Sequence, residues 1–327
     1  MATTNSRSGE PRRIACVTGA TGMIGSRIAR RLQALGFPVR VLTRRPLDLP
    51  GGEVVRGDLA DEVALERFVG GAGMVFHCAA ELNDESRMHE TNVLGTERLI
   101  ALAKAHDVGY FCHLSSAGVI GRTDRAVADE DTPCCPQNAY EKSKHDAERL
   151  FASGIDGCKV VILRPTNVVD RNHLADLGLA MDGSPYSWLK TFIKGGECAH
   201  LVHAEDVASA ALHFMDRPLS ASPRVYLVSM DADPKNTVSW LWAMHKGMLA
   251  GEPEGGVGDV FHLPVVVPYL LRRAIGRGAN RGDVRYSSDR IEAEGFKFAF
   301  GVEKIVRDIG FPENSQAASA DGRPLLP

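Results

Sequence analysis

The sequence has no CxxC pair, and its seven cysteines (16, 78, 112, 134, 135, 158 and 198) make an odd count. That pattern argues against a zinc site or a disulfide framework. Cys16, Cys78 and Cys112 lie inside apolar runs, where reduced cysteine behaves as a small hydrophobe, so a reducing, cytoplasmic setting and no metal are expected. Charge of one sign is also lacking: 38 Lys+Arg against 41 Asp+Glu leave a net −3. No whole-chain field therefore draws nucleic acid or an anionic membrane. Long apolar runs are missing too. The most apolar window, "LPVVVPYLL" at 263–271, is broken by Pro268 and too short to span a bilayer. The opening "MATTNSRSGEPRR" lacks the apolar core of a secretory signal, and no internal repeat is visible. Residues 1–12 and 313–327 are expected to be poorly ordered tails. What remains, 44% hydrophobic and 24% charged over 327 residues, is an ordinary globular composition with room for about two domain-sized units.

From residue 13 onward, short apolar runs alternate with helical patterns: "IACVTG" (14–19), "PVRVLT" (38–43), "EVVRGD" (53–58), "MVFHCAA" (74–80), "YFCHLSS" (110–116) and "KVVILRP" (159–165). Helices are expected at 23–36, near 61–69, over 89–107 and around Tyr140. Strands this apolar, separated by helices, predict a parallel sheet covered on both faces. The expected fold is α/β, a doubly wound Rossmann-like sheet over 13–170. A smaller mixed substrate lobe is expected over 171–312, some of whose elements return to the main sheet.

"VTGATGMIG" sets Gly19, Gly22 and Gly25 between a strand and a helix. Glycines there let backbone N–H groups approach a pyrophosphate at a helix N-terminus, although a tight turn alone would also place them. In "AYEKSKHDAERL" (139–150), Tyr140 and Lys144 are four apart and share one helix face, whereas Lys142 points elsewhere. A tyrosine of pKa about 10 serves as a proton donor at neutral pH only if a neighbouring positive charge lowers that value. Lys144 is the candidate for that charge. After "VRVLT", Thr43 stands where an acid would receive NAD ribose hydroxyls, and Arg44 and Arg45 follow. Two guanidiniums suit a 2′-phosphate, so NADP(H) is favoured over NAD(H), the alternative being two arginines in a solvated loop. Asp58 is read from its position as an N-cap of the 61–69 helix, which leaves it compatible with a ligand contact as well.

Taken in order, "TGATGMIG", "GDLAD", "HCAA", "TNVLGT", "LSSAGVIG", "YEKSKHDAE" and "RPTNVV" resemble the extended short-chain dehydrogenase/reductase superfamily, the NAD(P)-dependent epimerase/dehydratase type, over roughly 13–310. The resemblance implies that Tyr140 is the acid/base and that Lys144 holds the nicotinamide ribose. It makes Ser116 the substrate-oxygen partner and Asn92 a support for the lysine. It places the cofactor on Gly19, Thr21, Gly22, Met23, Ile24 and Gly25, then on Arg44, Arg45, Asp58 and Leu59. Cys78, Ala79, Ala80, Ser115 and Pro165 complete that surface. His77, His113 and His203, in or beside apolar runs, are read as structural.

For the substrate, Asn167 matches a position that contacts the diphosphate in sugar-nucleotide members of the superfamily, and "RGDVRYSSDR" resembles a carboxyl-terminal run of nucleotide-sugar epimerases, which would face Arg281 and Arg285 to that diphosphate unless they belong to a solvated loop. Ala117 and Gly118 stand where 4,6-dehydratases carry an acid pair, which disfavours dehydration. The expected activity is hydride transfer at a ketone or alcohol carbon of a nucleotide sugar by a homodimer formed through 89–107 and 140–152. An epimerase with bound NAD, a steroid- or flavonoid-type ketone reductase and an NADP-binding regulator are the alternatives. Ile120 and Asp170 replace the aromatic and the glycine usual in the family pattern, and Asp170 and Arg171 near the substrate are expected to alter specificity.

Overall fold

The computed structural model describes residues 13–170, 185–219, 221–249, 260–275 and 280–309. The tails expected at 1–12 and 313–327 lie outside these residues, as does Arg171. The first half runs β1 (Ile14–Thr18), α1 (Met23–Ala34), β2 (Val39–Thr43), β3 (Glu53–Arg56), α2 (Glu62–Val69) and β4 (Ala72–His77). A short α3 (Glu85–Met88) leads through a π-helical stretch, His89–Leu94, into α4 (Gly95–Ala105). The expected 89–107 helix is thus wider-wound in its first turns. Then follow β5 (Tyr110–Leu114), a 3₁₀ turn (Ala117–Ile120), β6 (Val127–Ala128), α5 (Ala139–Arg149), β7 (Lys159–Pro165) and β8 (Asn167–Val169). The rest comprises α6 (Pro185–Lys194), β9 (Leu201–His203), α7 (Ala204–His213), β10 (Arg224–Val228), α8 (Val238–Leu249), α9 (Val266–Ala274), β11 (Arg285–Tyr286), α10 (Asp289–Ala293) and α11 (Val302–Ile309).

Seven strands form one sheet in the order β10-β7-β5-β4-β1-β2-β3, with every pairing parallel. Side chains alternate across the pleat. Ala15, Val17, Val161 and Leu163 pack on one face with Ile28 and Leu32 of α1 and Val207 and Ala211 of α7. Cys16, Val160 and Ile162 pack on the other with Leu65 and Phe68 of α2 and Leu99 and Ala103 of α4. The apolar stripe of α1 recurs as Gly25, Ile28, Ala29 and Leu32, the i, i+3, i+4, i+7 spacing that faces a helix to a core. The order reverses between β1 and β4, which opens a crevice at the carboxyl ends of the strands.

The chain beyond 170 does not stand apart. β10 adds to the sheet beside β7, and α7 packs on α1. A second core gathers Val169, Leu201, Leu241, Met244, Val302 and Ile305 beyond the carboxyl ends of the sheet. There β8 pairs with β9, and β6 pairs with β11. All seven cysteines are free thiols, and Cys135 is the exposed one. Its amide donates to Ile120 O (3.0 Å), and its carbonyl accepts from Arg122 N (3.1 Å). None of the described helices is long and apolar enough to cross a membrane.

Candidate active site

The turn between β1 and α1 brings backbone against backbone. Gly19 has φ +68°, and a Cβ there would lie 2.8 Å from Ala79 N, in the loop after β4. A Cβ on Gly25 would lie 2.3 Å from Gly19 O. Only glycine fits either position. Helix α1 begins at Gly22 without a side-chain cap, so its first amides are left for a ligand.

A cleft of about 650 Å³ runs along this edge of the sheet. Gly19, Thr21, Gly22, Met23, Ile24 and Gly25 line it, as do Arg44 and Arg45 after β2 and Asp58 and Leu59 after β3. Cys78, Ala79 and Ala80 come from the end of β4, Ser115 and Ser116 from β5, Tyr140 and Lys144 from α5, and Pro165 from β7. Two buried hydroxyls in its wall, Ser115 Oγ and Thr166 Oγ1, have no protein partner. Buried polar atoms without partners are rare, and a polar ligand would satisfy these two. Together with the glycine cradle they fit an extended dinucleotide.

Asn138 caps α5 by accepting from Glu141 N (2.9 Å), which sets Tyr140 and Lys144 on the inward face. Lys142 is exposed. Lys144 is buried, its Nζ donating to Leu114 O (2.6 Å), and burial lowers its pKa to about 8. Ser116 Oγ accepts from Gly118 N (3.1 Å) and lies near enough to the Tyr140 phenol to lower its pKa. The expected lowering of Tyr140 by Lys144 is not found. Burial raises the Tyr140 phenol above its ordinary value, opposed mainly by the Ser116 hydroxyl. The reason is that Lys144 directs its ammonium at a carbonyl and lies closest in charge to Glu148 and Cys78.

Asn92 sits below the cleft wall and does not contact Lys144. Its Oδ1 accepts from Glu81 N (2.7 Å), and its Nδ2 donates to Glu81 O (3.0 Å) and Ser143 Oγ (2.9 Å). Ser143 Oγ in turn donates to Tyr140 O (2.8 Å). Behind it, Thr18 Oγ1 accepts from Cys78 N and Ala79 N (both 3.1 Å), so its own hydrogen goes to His77 Nδ1 (2.8 Å). His77 Nε2–H donates to Thr96 Oγ1 (3.0 Å), which donates to Asn92 O (2.6 Å). A single polar chain thus links the loop facing the glycine turn to the helix of Tyr140. Burial, with Lys144 nearby, lowers His77 to about 3 and keeps it neutral. His113 is buried against it, ring centroids 5.2 Å apart, and is pushed well down by burial. His203 is buried and stacks on Phe300.

Several expectations give way to the structure. Asp61, not Asp58, caps α2, accepting from Ala64 N (2.9 Å); Asp58 turns its carboxylate onto Ala60 N (2.9 Å) at the cleft. Asn167 is exposed beside the cleft rather than lining it, and its Nδ2 donates to Ala199 O (2.9 Å). Arg281 is held by Asp283 (2.7 Å) in a separate cavity of about 390 Å³ with Arg122, Arg125 and Arg273. Arg285 lies on β11, outside the cleft. Asp170 is buried and ion-paired with Arg27 of α1 (2.8 Å), a latch rather than a free substrate group. Missed from sequence were Thr166 and a buried pair, in which Glu148 accepts from Arg164 Nε (2.9 Å) and Nη2 (2.6 Å). Glu148 stands four residues after Lys144, a spacing that could have marked it.

The model of the NAD-dependent epimerase/dehydratase family matches residues 15–229. Among curated proteins, the sterol demethylase protein B of Methylococcus capsulatus is 32% identical over 166 residues, 47% of this chain and 51% of its own length. A dTDP-glucose 4,6-dehydratase of Streptomyces niveus is 30% identical over 176 residues, 46% and 52% respectively. The chain therefore spans about half the length of these relatives. Among solved structures, Bordetella bronchiseptica WbmG in complex with NAD and UDP aligns with a TM-score of 0.67 at 20% identity, covering 93% of this chain and 94% of that one.

Proposed function

This chain belongs to the NAD-dependent epimerase/dehydratase family, of the extended short-chain dehydrogenase/reductase type, and on that premise we propose that it is a reductase acting at a ketone or alcohol carbon of a nucleotide sugar, a 4-ketoreductase, with NADP(H). The observation that carries this reading is the assembly of Ser116, Tyr140 and Lys144 in the wall of the cleft that the glycine turn lines. The bound dinucleotide supplies or accepts the hydride. Ser116 and Tyr140 hold the substrate oxygen, and Tyr140 passes its proton to that oxygen as negative charge develops. A phenol kept protonated by burial suits donation, the direction of reduction. Lys144, fixed on Leu114 O, keeps a cation beneath the site and orients the ribose. Arg44 and Arg45 receive a 2′-phosphate, and Asp58 the adenine end. Asn92 acts through Ser143 on the Tyr140 backbone. The protein works as a homodimer in the cytoplasm.

The dTDP-sugar name of one relative supports the nucleotide-sugar class, while Ala117 and Gly118 leave a 4,6-dehydratase without its acid pair. A second reading, a sterol-type ketone reductase, is favoured by the name of the other relative. One assay separates them: NADPH or NADH consumption, followed by absorbance, with dTDP- and UDP-4-keto sugars and a steroid ketone. Turnover of a keto sugar that falls about 10²–10⁴-fold in Tyr140→Phe supports the proposal. Turnover of the steroid alone moves the protein to the second reading. Tighter NADH than NADPH binding removes the Arg44 argument, and cofactor binding without any turnover marks a regulator.

A further inference from the structure

A second histidine site lies where no family motif called for chemistry. His200 sits just before β9 with φ +57°, in the left-handed region that few residues other than glycine adopt and that histidine tolerates. Its Nδ1 is 2.6 Å from Oδ2 of Asp231, which is fully buried. A carboxylate only accepts, so Nδ1 carries the hydrogen and Nε2 presents a lone pair when the ring is neutral. Asp231 is itself fixed: Oδ2 also accepts from Tyr286 N (2.9 Å) and Oδ1 from Asn236 Nδ2 (3.2 Å). The imidazole meets the Tyr286 ring edge-on at 5.2 Å. Its side chain is 25% exposed, and Nε2 has no hydrogen-bond partner among the described residues. An imidazole oriented this firmly at one nitrogen and left open at the other is a prepared hydrogen-bonding group.

Its position points to the cleft. Asp231 follows the carboxyl end of β10, and the His200 carbonyl accepts from Asn167 N (2.8 Å), just past the carboxyl end of β7. Thr166 and Val168, on either side of Asn167, line the cofactor cleft. The pair therefore belongs to the same carboxyl-end layer as Ser116 and Tyr140, on the side away from β1 and its glycine turn.

We propose that His200, oriented by Asp231, is a substrate-recognition residue whose Nε2 accepts a hydrogen bond from a hydroxyl of a polyhydroxylated substrate. The inference rests on the nucleotide-sugar reading and adds the residue that reads the sugar. The test uses His200→Asn, because asparagine tolerates the left-handed backbone and keeps a donor for Asp231 while removing Nε2. His200→Gly removes the whole side chain without strain and serves as the second variant. With the full-length protein, NADPH and dTDP-4-keto-6-deoxyglucose as probe, both variants are expected to raise KM about 10–100-fold, with kcat changed far less and NADPH affinity unchanged. Wild-type KM in either folded variant overturns the inference while leaving the function intact, since Tyr140→Phe still abolishes turnover. A loss of NADPH affinity parallel to the loss of activity overturns it as well, by marking a structural role. No turnover of the probe by the wild-type protein removes the nucleotide-sugar reading, and this inference with it.

Discussion

The two sides of the cleft are held by different means. On the glycine-turn side, each strand runs directly into the loop that lines the site, and the strands are joined in one parallel ladder whose register shift between β1 and β4 lies at Ile14/Ala15, the end away from the site. On the far side, isolated side chains bind backbone across long stretches of sequence. Asp206 accepts from Ala299 N (2.8 Å) and Phe300 N (3.1 Å), Glu130 from Leu227 N (2.8 Å), and Ser288 Oγ accepts from Ser229 N (2.8 Å) and donates to Ser229 O (2.9 Å). A ladder spreads its hydrogen bonds over many residues that no single substitution removes. A side-chain staple concentrates them, so its loss leaves several buried groups unpaired at once.

That contrast can be broken from either side. The largest effect is expected from Gly25→Ala. The new methyl meets Gly19 O, so the turn must shift. Dinucleotide affinity measured by fluorescence should fall at least about 100-fold, because a displacement of about 1 Å costs on that scale. Melting temperature should move little, because the ladder survives. Asp206→Ala should do the reverse. It takes the charged acceptor from two part-buried amides, lowers stability by about 2 kcal/mol in a denaturant titration, and leaves dinucleotide affinity near wild type. If both variants lose affinity and stability alike, the two sides are not built differently. The smallest effect is a change of slope confined to acid. Unfolded His77 takes up a proton near pH 6.5, whereas the buried ring resists until about 3. The unfolded state therefore binds more protons in that window, and stability falls as pH drops through it. His77→Asn should make the denaturation midpoint less dependent on pH between 6.5 and 3, on top of a loss of about 1–3 kcal/mol at every pH from breaking the Thr18–His77–Thr96 chain.

The glycine-turn side was readable from sequence because its signals are local. Apolar runs, glycines at turn spacing and a Tyr–Lys pair on one helix face each lie within about a dozen residues. Arg44 and Arg45 could be placed at the cleft because they follow a strand directly. The return of β10 to the sheet was within that reading, because "RVYLVS" has strand character wherever it packs. The far side was not readable. His200 and Asp231 are 31 residues apart with no repeat to join them, and Arg281 finds Asp283 rather than the cleft. Asn92 was placed near the site, but its partners Glu81 and Ser143 follow from a π-helical turn that no residue pattern announces. The direction of the Tyr140 shift depended on burial, which composition does not reveal.

The single exposed thiol has a practical use. Cys135 is latched to the end of the turn that Ser116 caps and stands three residues ahead of Asn138, where the Tyr140 helix begins. Burial pushes the thiols of Cys16, Cys78 and Cys158 up to about 12, which leaves them poorly reactive toward alkylating reagents. Burial also raises the part-exposed Cys134, and Cys198 to about 11, so a maleimide dye or nitroxide added to the unmodified protein would react first at Cys135. A spectroscopic reporter can thus be installed between the elements that carry Ser116 and Tyr140 without engineering a cysteine, and it would register a change there as a ligand enters the cleft.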